Sequence, residues 1–464
     1  MNRRIVIDLC NILLISGASL LFAFCNPAKK TTSTSGPKPP VAGGVKPRYE
    51  PMDTVRWTPA PNAKPPIGNA SGVTLPPVTP YNGQTYRLAF LLPFLTNQVD
   101  PVSQAVPDKS NLALQFYGGA SLALQKLSAE EGLNLSVDVF DTQGSDADFQ
   151  RLLSNPRIDK AQVVIGPIRS SHVSLMAERI KKTRQIMVSP ESPNMDLTSR
   201  NPDFVQTNPS LRAHCAAITR HVLQFHRPDA VTLVCKQKEA DRLPYFQQAN
   251  AANNARFAEL IVPDAVNNFD NIDLQRYFRP GRTAVFILPT WASQDFLMAF
   301  LRKLRTTRGS NRVEVYGMPQ WRNFENIEPE YFAEMNVHVT SASFVDRTAE
   351  AARAFRQAFY DAYGTVPGDD AYNGYDVTMF AGKMLKKYGL SFPQRLALEP
   401  PFEGLHAQFQ FAKVFSSGAV DDLLNEYDYL ENTFVHILKF ANYKFTIVSV
   451  SNNRIEKVKV TNEG

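Results

Sequence analysis

From Tyr86 onward the chain repeats one rhythm: a short apolar run, a polar break, then apolar residues spaced three and four apart. Short apolar runs bounded by Gly, Pro or Ser mark strands buried on both faces, and three-to-four spacing marks helices with one buried stripe. The pattern predicts strands at 137–140 and 163–165, a helix over 112–129 and another over 173–180. Ser170 or Ser171 stands where that second helix needs its N-cap. Ser210 opens a helix to about 225, strands follow at 231–234 and 285–288, and Thr290 is placed to cap a helix over 292–304. Strands at 313–316 and 337–339 lead to helices over 349–363 and 372–387. Alternating strands and helices imply parallel sheets covered by helices, hence an α/β fold. In the C-terminal part, HAQFQF at His406 to Phe411, then VHILKF and YKFTIVSV up to Val450, are strand-rich with alternation, which predicts antiparallel strands at an edge or hinge.

Residues 163–193 carry the most information about function. Val163-Val164-Ile165 stops at Gly166-Pro167, a helix starts at Ser170-Ser171, and a second strand ends in Ser189-Pro190-Glu191-Ser192-Pro193. In an open parallel sheet ligands lie beyond the carboxyl ends of the strands, where helix N-termini favour anions. Each serine alone is explained by capping or by a turn before proline. Two serine clusters at successive strand ends together point to a ligand wall.

These segments resemble the type I periplasmic binding proteins of the leucine/isoleucine/valine-receptor group. That group carries a strand ending in Gly, a Ser-rich helix start and an I-S-P-x-x-x-N segment, matched here by Gly166, Ser170-Ser171 and Val188 to Asn194. YRLAFLLPF from Tyr86, FYGGASLALQKL from Phe116 and LSVDVFDTQGS from Leu135 match its opening strand, first helix and second strand. The resemblance spans about residues 84–450 and implies a bilobed fold, two parallel-sheet lobes with a hinge. It places the first lobe at about 84–205 plus 345–370 and the second at about 206–340 plus the C-terminal segments. The ligand would lie between them, held by Arg169, Ser170, Ser171, Ser189, Glu191 and Ser192 from the first lobe. Tyr245, Thr290, Trp291 and Gln320, with Trp321 beside it, would come from the second, the aromatic rings covering the apolar part of the ligand. One departure bears on ligand identity. Pro193 has neither N–H nor hydroxyl where the group presents one, and Glu191 adds a negative charge that Arg169 would have to offset. A simple aliphatic amino acid is therefore not the expected ligand.

The first 25 residues stand apart. Arg3 and Arg4 precede an apolar run that ends at Cys25, the layout of a secretory signal; the cysteine there suggests a lipoprotein acylated at Cys25, with an uncleaved anchor or ordinary secretion as the alternatives. Residues 26–82 hold 13 of the 33 prolines and no sustained apolar period, so they are expected to form an extended tether. At about 3 Å per residue it reaches on the order of 100 Å or more. Residues 83–464 remain for the globular part.

Charge and cysteines refine this picture. The formal charge is +6, of which the tether contributes about +5 and the signal about +1, leaving the globular part near neutral. The basic balance thus gives no argument for nucleic acid, and suits anionic lipid or cell-wall polymer. Cys215 and Cys235 stand at ends that a βαβ unit brings together, which leaves open either a disulfide or two buried thiols. The seven histidines are scattered, hydrolase, phosphate-loop and dinucleotide motifs are missing, and Asp369-Asp370 and Asp421-Asp422 look like solvated turns. Neither an enzyme nor a cofactor or metal is expected.

Two functions remain in view. One is a lipid-anchored solute-binding protein on the periplasmic face of the outer membrane, closing on a small polar ligand for an ABC permease. The other is a tethered regulator that meets a cell-wall synthase, resembling the lipoprotein activators of penicillin-binding proteins.

Overall fold

The computed structural model describes residues 78, 81–195, 197–415 and 427–450. The expected signal segment, Cys25, nearly all of the tether and Asp421-Asp422 lie outside them.

In the first half the chain forms β1 (Tyr86–Leu92), α1 (Asn111–Ala129), β2 (Leu135–Asp141), β3 (Val163–Ile165), α2 (Ser170–Thr183), β4 (Ile186–Ser189) and β5 (Phe204–Gln206). Next come α3 (Leu211–Phe225), β6 (Val231–Lys236), β7 (Ala258–Val262), β8 (Ala284–Ile287), α4 (Gln294–Arg308), β9 (Val313–Gly317) and β10 (Val337–Ser341). Helices α5 (Glu350–Tyr363) and α6 (Asp369–Tyr388) precede β11 (Phe402–Glu403), β12 (Gln408–Phe409), β13 (Phe411–Val414), β14 (Tyr429–Asn432), β15 (His436–Ala441) and β16 (Lys444–Val450).

Two seven-stranded sheets result, ordered β13-β14-β5-β4-β3-β1-β2 and β16-β15-β10-β9-β8-β6-β7. The α/β expectation holds, and the strands β1 to β5 and β6 to β10 pair in parallel within their sheets. The C-terminal strands divide between the sheets instead of all joining the second. β14 continues the first sheet in parallel beside β5, β13 closes its edge antiparallel, and β15 and β16 add an antiparallel edge to the second.

Burial explains the apolar runs. Leu88, Phe90, Val163, Ile165, Ile186 and Val188 point into one core of the first lobe, while Ala89, Leu91, Val164 and Met187 point into a second core on the other face. A strand covered on both sides must be apolar at every position, which is why these segments read as continuous runs. Val173, Met176, Ala177 and Ile180 form the buried stripe by which α2 covers the second of those faces. Each large side chain so buried contributes about 1.5–3 kcal/mol over its exposed state.

The opposite face is covered by α1 and α6, and glycine sets how closely they approach. A Cβ on Gly119 would lie 1.8 Å from the Ala371 carbonyl oxygen, and one on Gly374 would lie 1.9 Å from that of Phe116. Only hydrogen fits at either position, so the first turns of α6 are seated against α1. Cys215 and Cys235 are both free and buried in the second lobe's core.

The chain passes between the sheets three times: after β5, after β10 and after β14. Two of these passages are bonded together. The Asn432 amide donates to the Thr207 carbonyl at 2.9 Å, and the buried Glu431 carboxylate accepts the Ser210 backbone N–H at 2.8 Å. Among the described residues no helix is long and apolar enough to cross a membrane.

Candidate functional site

Where the carboxyl ends of the two sheets face each other, two adjoining cavities of about 320 Å³ and 230 Å³ lie between the lobes. They share Glu191, Asn208, Pro209, Ala342, Ser343 and Asp369, so they form one continuous hollow. A larger surface hollow of about 680 Å³ runs beside α4, but all its lining comes from residues 267–326 of the second lobe. It therefore cannot respond to lobe closure, and the smaller interlobe hollow is the better candidate for a ligand that two lobes grip.

The structure separates the residues expected from the sequence. Glu191, Trp291 and Gln320 line the larger interlobe cavity together. Thr290 lies beneath, fully buried; its hydroxyl donates to Glu239 at 3.2 Å instead of capping α4, whose N-cap is Ser293. Its carbonyl accepts the Trp321 ring N–H at 2.9 Å, so Trp321 is a buried support and Trp291 is the ring at the wall. Tyr245 packs half-buried against the second lobe's core and lines neither cavity. Ser189 and Ser192 are buried, with neither hydroxyl oxygen hydrogen-bonded.

Arg169, Ser170 and Ser171 also line neither cavity. Arg169, not a serine, is the N-cap of α2, and no side chain bonds back to the helix there. The Ser171 hydroxyl donates to the Asp146 carboxylate at 2.7 Å. The Arg169 guanidinium donates to the Gly144 carbonyl and lies 3.8 Å from Asp146. The Ser171 bond is the main reason the Asp146 carboxyl is held below its usual range. Arg169 is thus engaged with Asp146 and does not offset Glu191.

In place of the serines the first lobe presents acids. Helix α6 begins at Asp369, three residues before the apolar period suggests, so Asp369 and Asp370 form its first turn and line the hollow. They belong to a helix start and not to a turn, with Asp370 half-buried and Asp369 exposed. Acidic residues before an apolar-periodic segment are a helix-start signal, and the helix dipole favours them there; that signal was present in the sequence. One turn on, the Asn373 amide donates to the Glu191 carboxylate. Half-buried and near Asp370, Glu191 has its carboxyl pushed up to about 7, burial being the larger cause and the Asp370 charge the next. Asp370 is itself raised, by burial first and by Asp369 second.

The opposite wall is aromatic and basic. His214, buried on α3, meets Trp291 edge to face at a centroid distance of 6.0 Å, and burial holds its ring near a pKa of about 4, so it is neutral. Arg322 donates to the Ser341 hydroxyl at 2.9 Å from beside the same cavity. Neither residue stood out in the sequence, because each becomes part of the site only when separate strand ends meet.

Residues 110–420 match the model of a family described as periplasmic binding protein. The chain belongs to the periplasmic binding protein family. No curated protein matches the chain. Among solved structures, this periplasmic binding protein is similar to a chain from Rhodospirillum rubrum described as a branched-chain amino acid ABC transporter, at TM-score 0.57 and 16% identity, covering 79% of this chain and 100% of that one. An ABC transporter substrate-binding protein from Desulfitobacterium hafniense gives TM-score 0.52 and 16% identity over 79% and 100%. A branched-chain amino acid ABC transporter periplasmic ligand-binding protein from Burkholderia xenovorans gives 0.52 and 10% over 79% and 95%. At these identities the likeness is one of fold: the bilobed type I periplasmic binding fold expected from the sequence.

Proposed function

We propose that this periplasmic binding protein is a non-catalytic solute receptor that closes its lobes on a small polar ligand and hands it to an ABC permease. In this reading it is held by a lipid on Cys25 at the periplasmic face of the outer membrane. The supporting observation is the interlobe hollow itself. Glu191 and Asp369 from one lobe and Trp291 and Gln320 from the other line a single cavity, so a ligand there touches both lobes. The fold neighbours described as branched-chain amino acid ABC transporter proteins support the link to a transporter. The alternative, a tethered regulator of cell-wall synthesis, draws its support from the Pro-rich segment expected over residues 26–82.

Cavity filling tests the choice. Ala342 lines both cavities, and Ala342→Trp fills the space between them. A receptor stabilised by about 2.7 kcal/mol at a hundredfold ligand excess loses that gain in the variant. Ser170→Trp, outside the lining, keeps it. Thermal denaturation with a pooled metabolite extract measures both. Equal ligand stabilisation in the two variants removes the interlobe site, and wild-type function of cells carrying Ala342→Trp favours the regulator.

A further inference from the structure

The two walls of the interlobe hollow carry unequal charge. Glu191, Asp369 and Asp370 line it from the first lobe, whereas Arg322 is the one lysine or arginine among the described lining residues. His214 adds no charge, being neutral through burial. An acidic cluster alone need not bind anything, since solvated carboxylates are ordinary. Here two further observations point to a ligand. His214 is 3% exposed, lines the larger cavity and has its Nδ1 without a hydrogen-bond partner, a buried polar atom that native interiors rarely leave unmatched. Glu191 is drawn toward Asp370 by the Asn373 amide instead of being turned to bulk solvent.

We propose that Glu191, Asp369 and Asp370, with the Asn373 amide, form a seat for the protonated amine or guanidinium of a small cationic solute, whose other end reaches Trp291 and His214. This rests on the receptor reading above and names the substrate class of the same hollow. A cation placed there offsets the burial and the Asp370 repulsion that together raise Glu191, and compensates the burial of Asp370. The half-buried Trp291 ring offers a face for an apolar stem or a second cationic group. The same geometry disfavours the alternative placement of an anionic group on the first lobe. At the start of α2 the Ser171 hydroxyl and the Arg169 guanidinium already have partners within that lobe, and neither lines the hollow.

The experiment is calorimetric titration of the full chain at pH 7 with putrescine, L-arginine, L-leucine and glutarate. At least one of the two cations is expected to bind, and Asp369→Asn and Asp370→Asn each to weaken it tenfold or more with unchanged circular dichroism. Titration in two buffers of different ionisation enthalpy should show proton release on cation binding, lost in Glu191→Gln. The titratable or charged groups facing Glu191 are Asp369, Asp370 and His406 from the first lobe and His214 and Arg322 from the second. The loss of that release in Glu191→Gln, with the other groups unchanged, assigns it to Glu191. Tighter binding of leucine or glutarate than of both cations overturns the proposal and leaves the receptor reading standing. So does cation affinity unchanged in the Asp369→Asn/Asp370→Asn double variant. Binding of none of the four also overturns it, and the receptor reading falls as well only if no component of a metabolite extract stabilises the protein.

Discussion

Two helices of the first lobe begin near strand ends, and they differ in what their first turns do. Helix α2 opens with Ser170-Ser171, whose chemistry suits a carboxylate, but Ser171 donates to Asp146 and Arg169 pairs beside it. Helix α6 opens with Asp369-Asp370, whose chemistry suits its own dipole, yet it is this start that faces the interlobe hollow. A residue type tells what a helix start could bind. Its neighbours decide whether that capacity is already spent within the fold.

The contrast can be broken most sharply at the seat of α6. Gly374→Val must push α6 away from the Phe116 carbonyl oxygen, and is expected to cost about 3 kcal/mol or more, measured by urea denaturation. Retained stability would mean that the acidic turn is not fixed by this contact. A middle-sized effect is expected at Glu191. Its folded-state carboxyl titrates near 7, above its ordinary 4.5, so the folded protein holds a proton there that the unfolded chain has lost. This group's stabilising contribution is therefore present at low pH and declines as pH rises from about 4.5 to 7. Glu191→Gln keeps the oxygen that Asn373 bonds and removes that decline; at pH 8 the empty protein should be more stable by about 1 kcal/mol while binding cations less well. Melting temperatures of the two proteins at pH 5 and pH 8 check the sign, and a gain confined to pH 5 would refute it. The smallest effect belongs to α2. Ser171→Ala should lower the melting temperature by less than about 2 °C and leave solute affinity unchanged. A loss of affinity there would return the site to the serine-rich start.

The fold was legible because its signal is local and repeated. The apolar runs of β1, β3 and β4 and the stripe Val173, Met176, Ala177, Ile180 follow directly from burial on both faces and on one face. Of the residues expected at the site, those that line the hollow, Glu191, Trp291 and Gln320, each lie a few positions past a strand. Asp369 and Asp370 were passed over because the predicted helix starts at residue 372, placing them in a turn. His214 and Arg322 carry no local mark of function, since their place in the hollow depends on strands far apart in the chain. The division of β13 to β16 between two sheets was equally invisible, as alternation fixes a strand's faces but not its neighbour.

That division has a consequence for a chain made from its N-terminus. Strand β5 waits for β14, which lies more than 200 residues later, and the bond from Asn432 to Thr207 closes over 225 positions. By then every strand of the second lobe except β15 and β16 has already been made. The earlier lobe is thus completed after most of the later one: the apolar face that α6 covers stays open until that helix is made, and the sheet edge at β5 stays open longer, until β14 arrives. During synthesis and export, the half-built first lobe is the species that most needs shielding from other chains.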